Sequence, residues 1–295
     1  MNRRTAVLQD GGARFARVWS IVSASSLIAT VGWSQQPSIT WLGTLPSFMR
    51  SVAFGVSADG SVVVGEARNA VDQYRAFRWK QATGMQDLGT LGGSRSWANG
   101  VSADGSVVVG AAYNAAGQRR AFRWTQMTGM QDLGTLPSFM RSVALSVSAD
   151  GSVVVGFAEN AAGQRRAFRW TQATGMQDLG TLGGRESVAW GVSADGSVVV
   201  GWTFNAAGQP CAFRWTPEGG MEDLNQTYAR LLTGGSVLSV ATAISPNGRY
   251  IVGRGFNTAL WREEAFLLDT VPEPASLLAL GAGLAGLLGL RRPKQ

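Results

Sequence analysis

Four aspartates recur with the same neighbours. Asp59, Asp104, Asp150 and Asp195 each lie in Ser-Ala-Asp-Gly-Ser. Calcium would be the chemistry to test, but it takes six to eight oxygens, usually from several carboxylates. Each of these is a lone carboxylate inside a turn sequence, so the expected role is structural. A second set couples arginine to aspartate. Counting outward from the Gln81-Ala82-Thr83-Gly84 turn sets Arg78 opposite Asp87, and the same count pairs Arg123 with Asp132, Arg169 with Asp178 and Arg214 with Asp223. Opposite charges across an antiparallel pair fix register; the alternative is a ring of arginines lining a channel and holding an acidic sugar. Trp79, Trp124, Trp170 and Trp215 recur at one strand position, which suits sheet-to-sheet packing. Trp41 opens a segment ahead of the first copy, and Trp97, Trp190 and Trp202 are irregular and hence the better candidates for stacking on a glycan.

The chain has no histidine and one cysteine, Cys211. Imidazole acid–base chemistry, His metal sites and internal disulfides are therefore excluded. Glu66, Glu159, Glu186 and Glu222 are the carboxylates that hydrolysis would need, but no pair of them stands out. The expectation is a non-enzymatic protein without cofactor or metal.

These residues sit in a tandem repeat. The segment Val56–Gly65 returns at 101–110, 147–156 and 192–201, and a weaker fifth copy runs from Ile244 to Gly253. The aligned Asp59, Asp104, Asp150, Asp195 and Asn247 are 45, 46, 45 and 52 residues apart. Ala-Phe-Arg-Trp recurs at 76–79, 121–124, 167–170 and 212–215, and Gly-Met-Gln-Asp-Leu-Gly-Thr-Leu at 84–91, 129–136 and 175–182. Asp-Gly between valine-rich runs predicts a two-residue hairpin with both central residues at positive φ. Four short strands at this period predict propeller blades. The fifth copy lacks the last block, whereas Trp41-Leu42-Gly43-Thr44-Leu45 precedes the first copy. The expected fold is all-β: residues 38–269 form a propeller of five four-stranded blades, closed by this N-terminal strand pairing with the last blade. Closure would remove the exposed sheet edge.

The formal net charge of +7 divides into +3 in residues 1–36, +3 in the last five residues and +1 between them. A nucleic-acid surface needs clustered Lys and Arg on the folded part, so no nucleic-acid partner is expected. Arginines up to Arg17, the apolar run Val18–Val31 and the small residues Gly32 and Ser34 describe a signal peptide over residues 1–34, cleaved between Ser34 and Gln35 by signal peptidase. At the other end, Pro272-Glu273-Pro274, the apolar run 275–290 and Arg291-Arg292 follow in order. The run would make a transmembrane helix of about 24 Å, with its basic end left in the cytoplasm.

This tail, residues 271–295, resembles the PEP-CTERM sorting signal of Gram-negative bacteria. The resemblance implies export across the inner membrane, transient anchoring by the C-terminal helix, processing by an exosortase, and delivery to the cell surface or a biofilm matrix. The Ala-Phe-Arg-Trp blocks and their Gly-Met-Gln-Asp-Leu-Gly-Thr-Leu partners resemble the extracellular HAF-repeat family. The family's His position is filled here by Arg75, Arg120, Arg166, Cys211 and Glu264, which puts any role of that histidine in doubt. The functional expectation is an exported surface or matrix protein. An exopolysaccharide-binding module is the alternative, and a glycan-active enzyme the third reading.

Overall fold

The computed structural model describes residues 37–270. The signal peptide with Ser34 and Gln35, the sorting residues Pro272, Glu273, Pro274, Arg291 and Arg292, and the expected helix 275–290 lie outside them. Among the described residues no helix is long and apolar enough to cross a membrane.

Five antiparallel sheets follow in chain order. The first holds β1 (Arg50–Val56), β2 (Val62–Arg68), β3 (Tyr74–Lys80) and β4 (Gly84–Asp87). The second holds β5 (Gly92–Val101), β6 (Val107–Asn114), β7 (Arg119–Thr125) and β8 (Gly129–Asp132). The third holds β9 (Arg141–Val147), β10 (Val153–Glu159), β11 (Arg165–Thr171) and β12 (Gly175–Asp178). The fourth holds β13 (Gly183–Val192), β14 (Val199–Asn205), β15 (Pro210–Thr216) and β16 (Gly220–Asp223). The fifth has three strands, β17 (Val237–Ile244), β18 (Tyr250–Asn257) and β19 (Arg262–Asp269). The longer spacing before the fifth copy is taken up by a one-turn helix, α1 (Leu224–Thr227), and two short 3-10 turns.

Apolar cores form between neighbouring sheets. Val62, Val64 and Ala76 of the first sheet pack with Val108, Phe122 and Trp124 of the second. Equivalent clusters join the second to the third, the third to the fourth and the fourth to the fifth. The repeated phenylalanines Phe77, Phe122, Phe168 and Phe213 are fully buried.

The hairpin tips add a second join. Ala58 N–H donates to Ala103 O (2.9 Å), Ala103 N–H to Ala149 O (3.0 Å), Ala149 N–H to Ala194 O (2.9 Å) and Ala194 N–H to Pro246 O (2.9 Å). Each tip is thus bonded to the next. A Cβ on Gly105, Gly151 or Gly196 would collide with Val62, Val107 or Val153 of the preceding sheet, and all three glycines have positive φ. They therefore permit both the turn and the approach.

The tip geometry corrects the expected hairpin. Gly60 has φ +73°, but Asp59 is not among the positive-φ residues. The loop is longer than two residues: Ser57 N–H reaches Val62 O and Gly60 N–H reaches Ser57 O. Asp59 Oδ1 accepts from Ser57 Oγ (2.7 Å), Ser61 N–H (3.0 Å) and Ser61 Oγ (2.8 Å). The side chain organises the loop, so the backbone of the aspartate stays in its ordinary region. Asn247 Oδ1 accepts the same way from Ser245 Oγ (2.6 Å) and Arg249 N–H (3.2 Å).

Closure by the N-terminal segment is also corrected. Residues 41–45 form no strand, and the fifth sheet has no fourth member. Leu45 is buried with Ala67 and Phe77 of the first sheet, and Gly43 O accepts from Ser51 Oγ (2.7 Å). In the other repeats the same glycine serves the following sheet: Ser96 Oγ donates to Gly89 O, Ser142 Oγ to Gly134 O and Ser187 Oγ to Gly180 O, each at 2.6 Å. Leu-Gly-Thr-Leu is thus the entry into the next sheet, while the fourth strand is Gly-Met-Gln-Asp, which the N-terminal segment lacks.

Two predictions follow from the tips. Gly151→Ala should lower stability well beyond Gly163→Ala, by a further ~1–3 kcal/mol, because Gly163 shares the positive φ but has open space around it; urea midpoints compare them. The tip hydrogen bonds hold the Asp59, Asp104 and Asp195 carboxyls down at about 2, and Asp150 is lowered for the same reason. Their folded pKa lies below the unfolded one, so this stabilisation is complete above about pH 4 and is lost as pH falls toward about 2. Asp104→Asn should keep the fold at neutral pH and reduce the acid loss, read from urea midpoints at about pH 7 and about pH 2.5.

Candidate functional site

Every sheet carries a bulge in its first strand, and the bulge creates the most site-like feature. Pairing skips Phe54, Asn99, Leu145, Trp190 and Thr242 at register breaks. The bulge turns a strand carbonyl toward the glycine opposite: a Cβ on Gly65, Gly201 or Gly253 would collide with Val52 O, Val188 O or Val240 O. This accounts for the glycine after each valine run. A bulge also re-aims its extra side chain, and in the fourth sheet that side chain is Trp190, 41% exposed.

Trp190 lines a groove between the fourth and fifth sheets with Trp202, Phe204, Pro210, Val240, Thr242 and Arg254. The groove measures about 410 Å³, within the usual range for small-ligand sites. Trp202 and Phe204 meet edge to face at 5.3 Å. Arg254 bonds Glu263 at 3.3 Å, with both side chains largely in solvent. The groove therefore offers aromatic faces, one hydroxyl and one guanidinium, a set suited to an amphipathic ring carrying hydroxyls.

The expected charge pairs do not face each other. Asp87, Asp132, Asp178 and Asp223 lie opposite Phe77, Phe122, Phe168 and Phe213, whereas Arg78, Arg123, Arg169 and Arg214 lie opposite Gln86, Gln131, Gln177 and Glu222. The connecting loop has three residues, Gln81 to Thr83, because Lys80 pairs with Gly84. A turn centred one half-step differently shifts the register by one residue, and a one-residue shift moves a side chain to the other face. Three of the arginines instead join sheets. Arg78 donates to Gly105 O at 3.2 and 2.9 Å and lies over the Trp124 ring at 5.6 Å. Arg123 reaches Gly151 O (3.1 Å) and Arg169 reaches Gly196 O (3.4 Å). Arg214 bonds Glu222 at 2.9 Å. The aspartates cap turns: Asp87, Asp132 and Asp178 accept from Gly89, Gly134 and Gly180 N–H at 2.8 Å, and Asp223 caps α1 through Asn225 N–H.

The remaining candidates separate clearly. Trp124, Trp170 and Trp215 are buried between sheets, and Trp79 packs beside Phe77. Trp41 is 88% exposed. Cys211 is buried, and burial pushes its thiol up to about 11, which removes its nucleophilic form at neutral pH. Burial also raises the Glu66 carboxyl, against the opposing pull of Arg50 and Arg68. Glu159 is held by Arg119, Arg141 and Arg165, and Glu186 lines a separate groove with Arg185 and Phe204. Among the described residues no three acidic, cysteine or histidine side chains gather to hold a metal ion.

Trp190 and Trp202 stand out in the sequence as irregular, but nothing there places them on one groove. The signal was the glycine opposite the bulge, which marks a close backbone approach in every copy. Trp190→Ala should leave the melting temperature nearly unchanged, whereas the buried Trp124→Ala should cost about 3–5 kcal/mol, as thermal melts would register.

Residues 270–292 match the PEP-CTERM protein-sorting motif. The motif indicates an exported cell-surface protein of the Gram-negative type that an exosortase processes. No curated protein matches the sequence. Among solved structures, the chain is similar to a putative TolB from Agrobacterium tumefaciens, with 15% identity, TM-score 0.51, and coverage of 76% of this chain and 78% of that one. It is also similar to TolB from Acinetobacter baumannii, with 16% identity and TM-score 0.50 over 75% of this chain; the match spans 52% of that protein's length. A third is the β-propeller domain of the trilobed protease from Pyrococcus furiosus, at 10% identity and TM-score 0.48, covering 76% of this chain and 70% of that one. At these identities the likeness to the two TolB structures concerns the fold alone: five antiparallel sheets of three or four strands, similar to propellers.

Proposed function

We propose that this chain is a non-enzymatic cell-surface or biofilm-matrix repeat protein, exported by its N-terminal signal and trimmed by an exosortase. The sorting motif at residues 270–292 carries the reading, and the stacked sheets supply a folded body for it. The resemblance of the repeats to the HAF family agrees with an extracellular life. Mass spectrometry of the mature ends, from cells with and without exosortase, tests it. The expected product starts at Gln35 and has lost its tail only where the exosortase is present. An identical tail in both strains overturns the proposal.

The aromatic groove favours a second reading, a module that binds the cell's own exopolysaccharide. Trp190 is presented by a bulge, exposed, and set beside Trp202 and Phe204; tryptophan faces of this kind stack on sugar rings. On a glycan array the protein should bind a discrete set of polysaccharides, and Trp190→Ala should reduce that binding about tenfold, or about 1.4 kcal/mol. An array without signal, or one indifferent to Trp190, removes this reading and leaves the first.

A further inference from the structure

A second surface crosses the first three sheets and differs from the groove in charge. It begins at Tyr74, over whose ring lie the guanidiniums of Arg68 and Arg95, each at 5.6 Å. The Tyr74 ring meets Trp97 at 5.7 Å, and Trp97 meets Tyr113 at 5.8 Å. These three aromatic rings therefore run from the first sheet onto the second. Arg119 is the cross-strand partner of Tyr113, so the two side chains share a face.

From Arg119 the path passes to the third sheet through Glu159, 3.9 Å away. Glu159 is also 3.1 Å from Arg141 and 3.6 Å from Arg165, and Arg165 lies over the Phe157 ring at 4.9 Å. One carboxylate thus gathers three guanidiniums and cannot neutralise them all. Arg119 Nε is buried and has no hydrogen-bond partner. Counting Arg50 and Glu66 beside Arg68, and the Arg68–Asp72 pair, six guanidiniums stand against three carboxylates along this belt. The excess is local, because the whole of residues 37–290 carries only +1. In the fourth sheet the positions of Glu159 and Arg165 are held by Phe204 and Pro210, so the arginine–glutamate cluster is not repeated there.

We propose that this belt binds an acidic polysaccharide, its carboxylates drawn to the surplus arginines and its sugar rings stacked along Tyr74, Trp97 and Tyr113. This surface is distinct from the Trp190 groove, and the inference goes beyond the surface or matrix role by naming a class of glycan for it. A linear polymer suits a surface that runs over three sheets, with three adjoining rings flanked by guanidiniums on either side. Arginine favours the carboxylate through a planar, two-point contact.

The test compares three probes on the full-length protein: polygalacturonate, its methyl ester, and single-stranded DNA of similar charge density. Polygalacturonate should bind, more weakly as salt rises. The ester, with the same sugar and no charge, should bind at least about tenfold more weakly. The double variant Arg95→Gln/Arg119→Gln should show a similar loss, while Trp190→Ala keeps its affinity. If the glutamine variant melts early, Arg95→Gln/Arg141→Gln, at two exposed side chains, takes its place, and a similar loss of polygalacturonate binding is expected. Equal binding of the ester, tighter binding of DNA, or indifference to the arginines overturns the belt. Binding of a neutral glycan lost only with Trp190→Ala overturns the belt but leaves the groove, whereas no glycan binding at all removes both.

Discussion

The arrangement depends on a single backbone hydrogen bond, repeated from tip to tip. Each hairpin gives its alanine N–H to the carbonyl of the next, from Ala58 through Ala103, Ala149 and Ala194 to Pro246. The bond needs the two tips to touch, and they touch only because a glycine faces a valine there. An aspartate or asparagine inside each tip holds the loop in the shape that makes the N–H available. Arginine then reaches the same glycine carbonyl from the sheet before. The turn signature Ser-Ala-Asp-Gly-Ser is therefore a device for joining sheets as much as for reversing the chain. The buried clusters between sheets follow from the spacing it sets.

Much of this was legible in the sequence, and the misses have identifiable causes. The five-fold repeat, the strand content and the packing role of Trp124, Trp170 and Trp215 follow from period and residue type. The register of Arg78 against Asp87 did not, because Gln-Ala-Thr-Gly can close with two or three loop residues and composition does not choose between them. The role of Trp41–Leu45 was misread because Leu-Gly-Thr-Leu looks like part of the fourth strand, when it leads into the following sheet. The groove was half legible. Trp190 and Trp202 were visible as exceptions, but the bulge that presents Trp190 recurs in every copy, so its extra residue leaves no mark on the spacing of the repeat. The belt was hidden for a different reason: net charge over a segment averages away what a fold segregates to one end of its strands.

The two surfaces divide the molecule's polar chemistry along its length. The first three sheets place arginine beside tyrosine and tryptophan, and the groove between the last two offers aromatic faces with the Arg254 guanidinium. Repeat copies that share turns and cores differ at the strand ends distant from the tips, where Arg68, Tyr113, Glu159, Phe204 and Phe256 hold equivalent positions before the conserved-looking asparagine of each turn. Those ends make none of the tip-to-tip hydrogen bonds, so their residues vary without loosening that joint.

The inter-sheet glycine has a consequence for how such a chain can change in number. Every joint is made from the same pair of parts, a valine on one side and a tip on the other, and each sheet is gripped only by its immediate neighbours. Recombination that adds or deletes whole units would regenerate a sound joint at the crossover, so the array can lengthen or shorten in steps of a sheet without inventing a new interface.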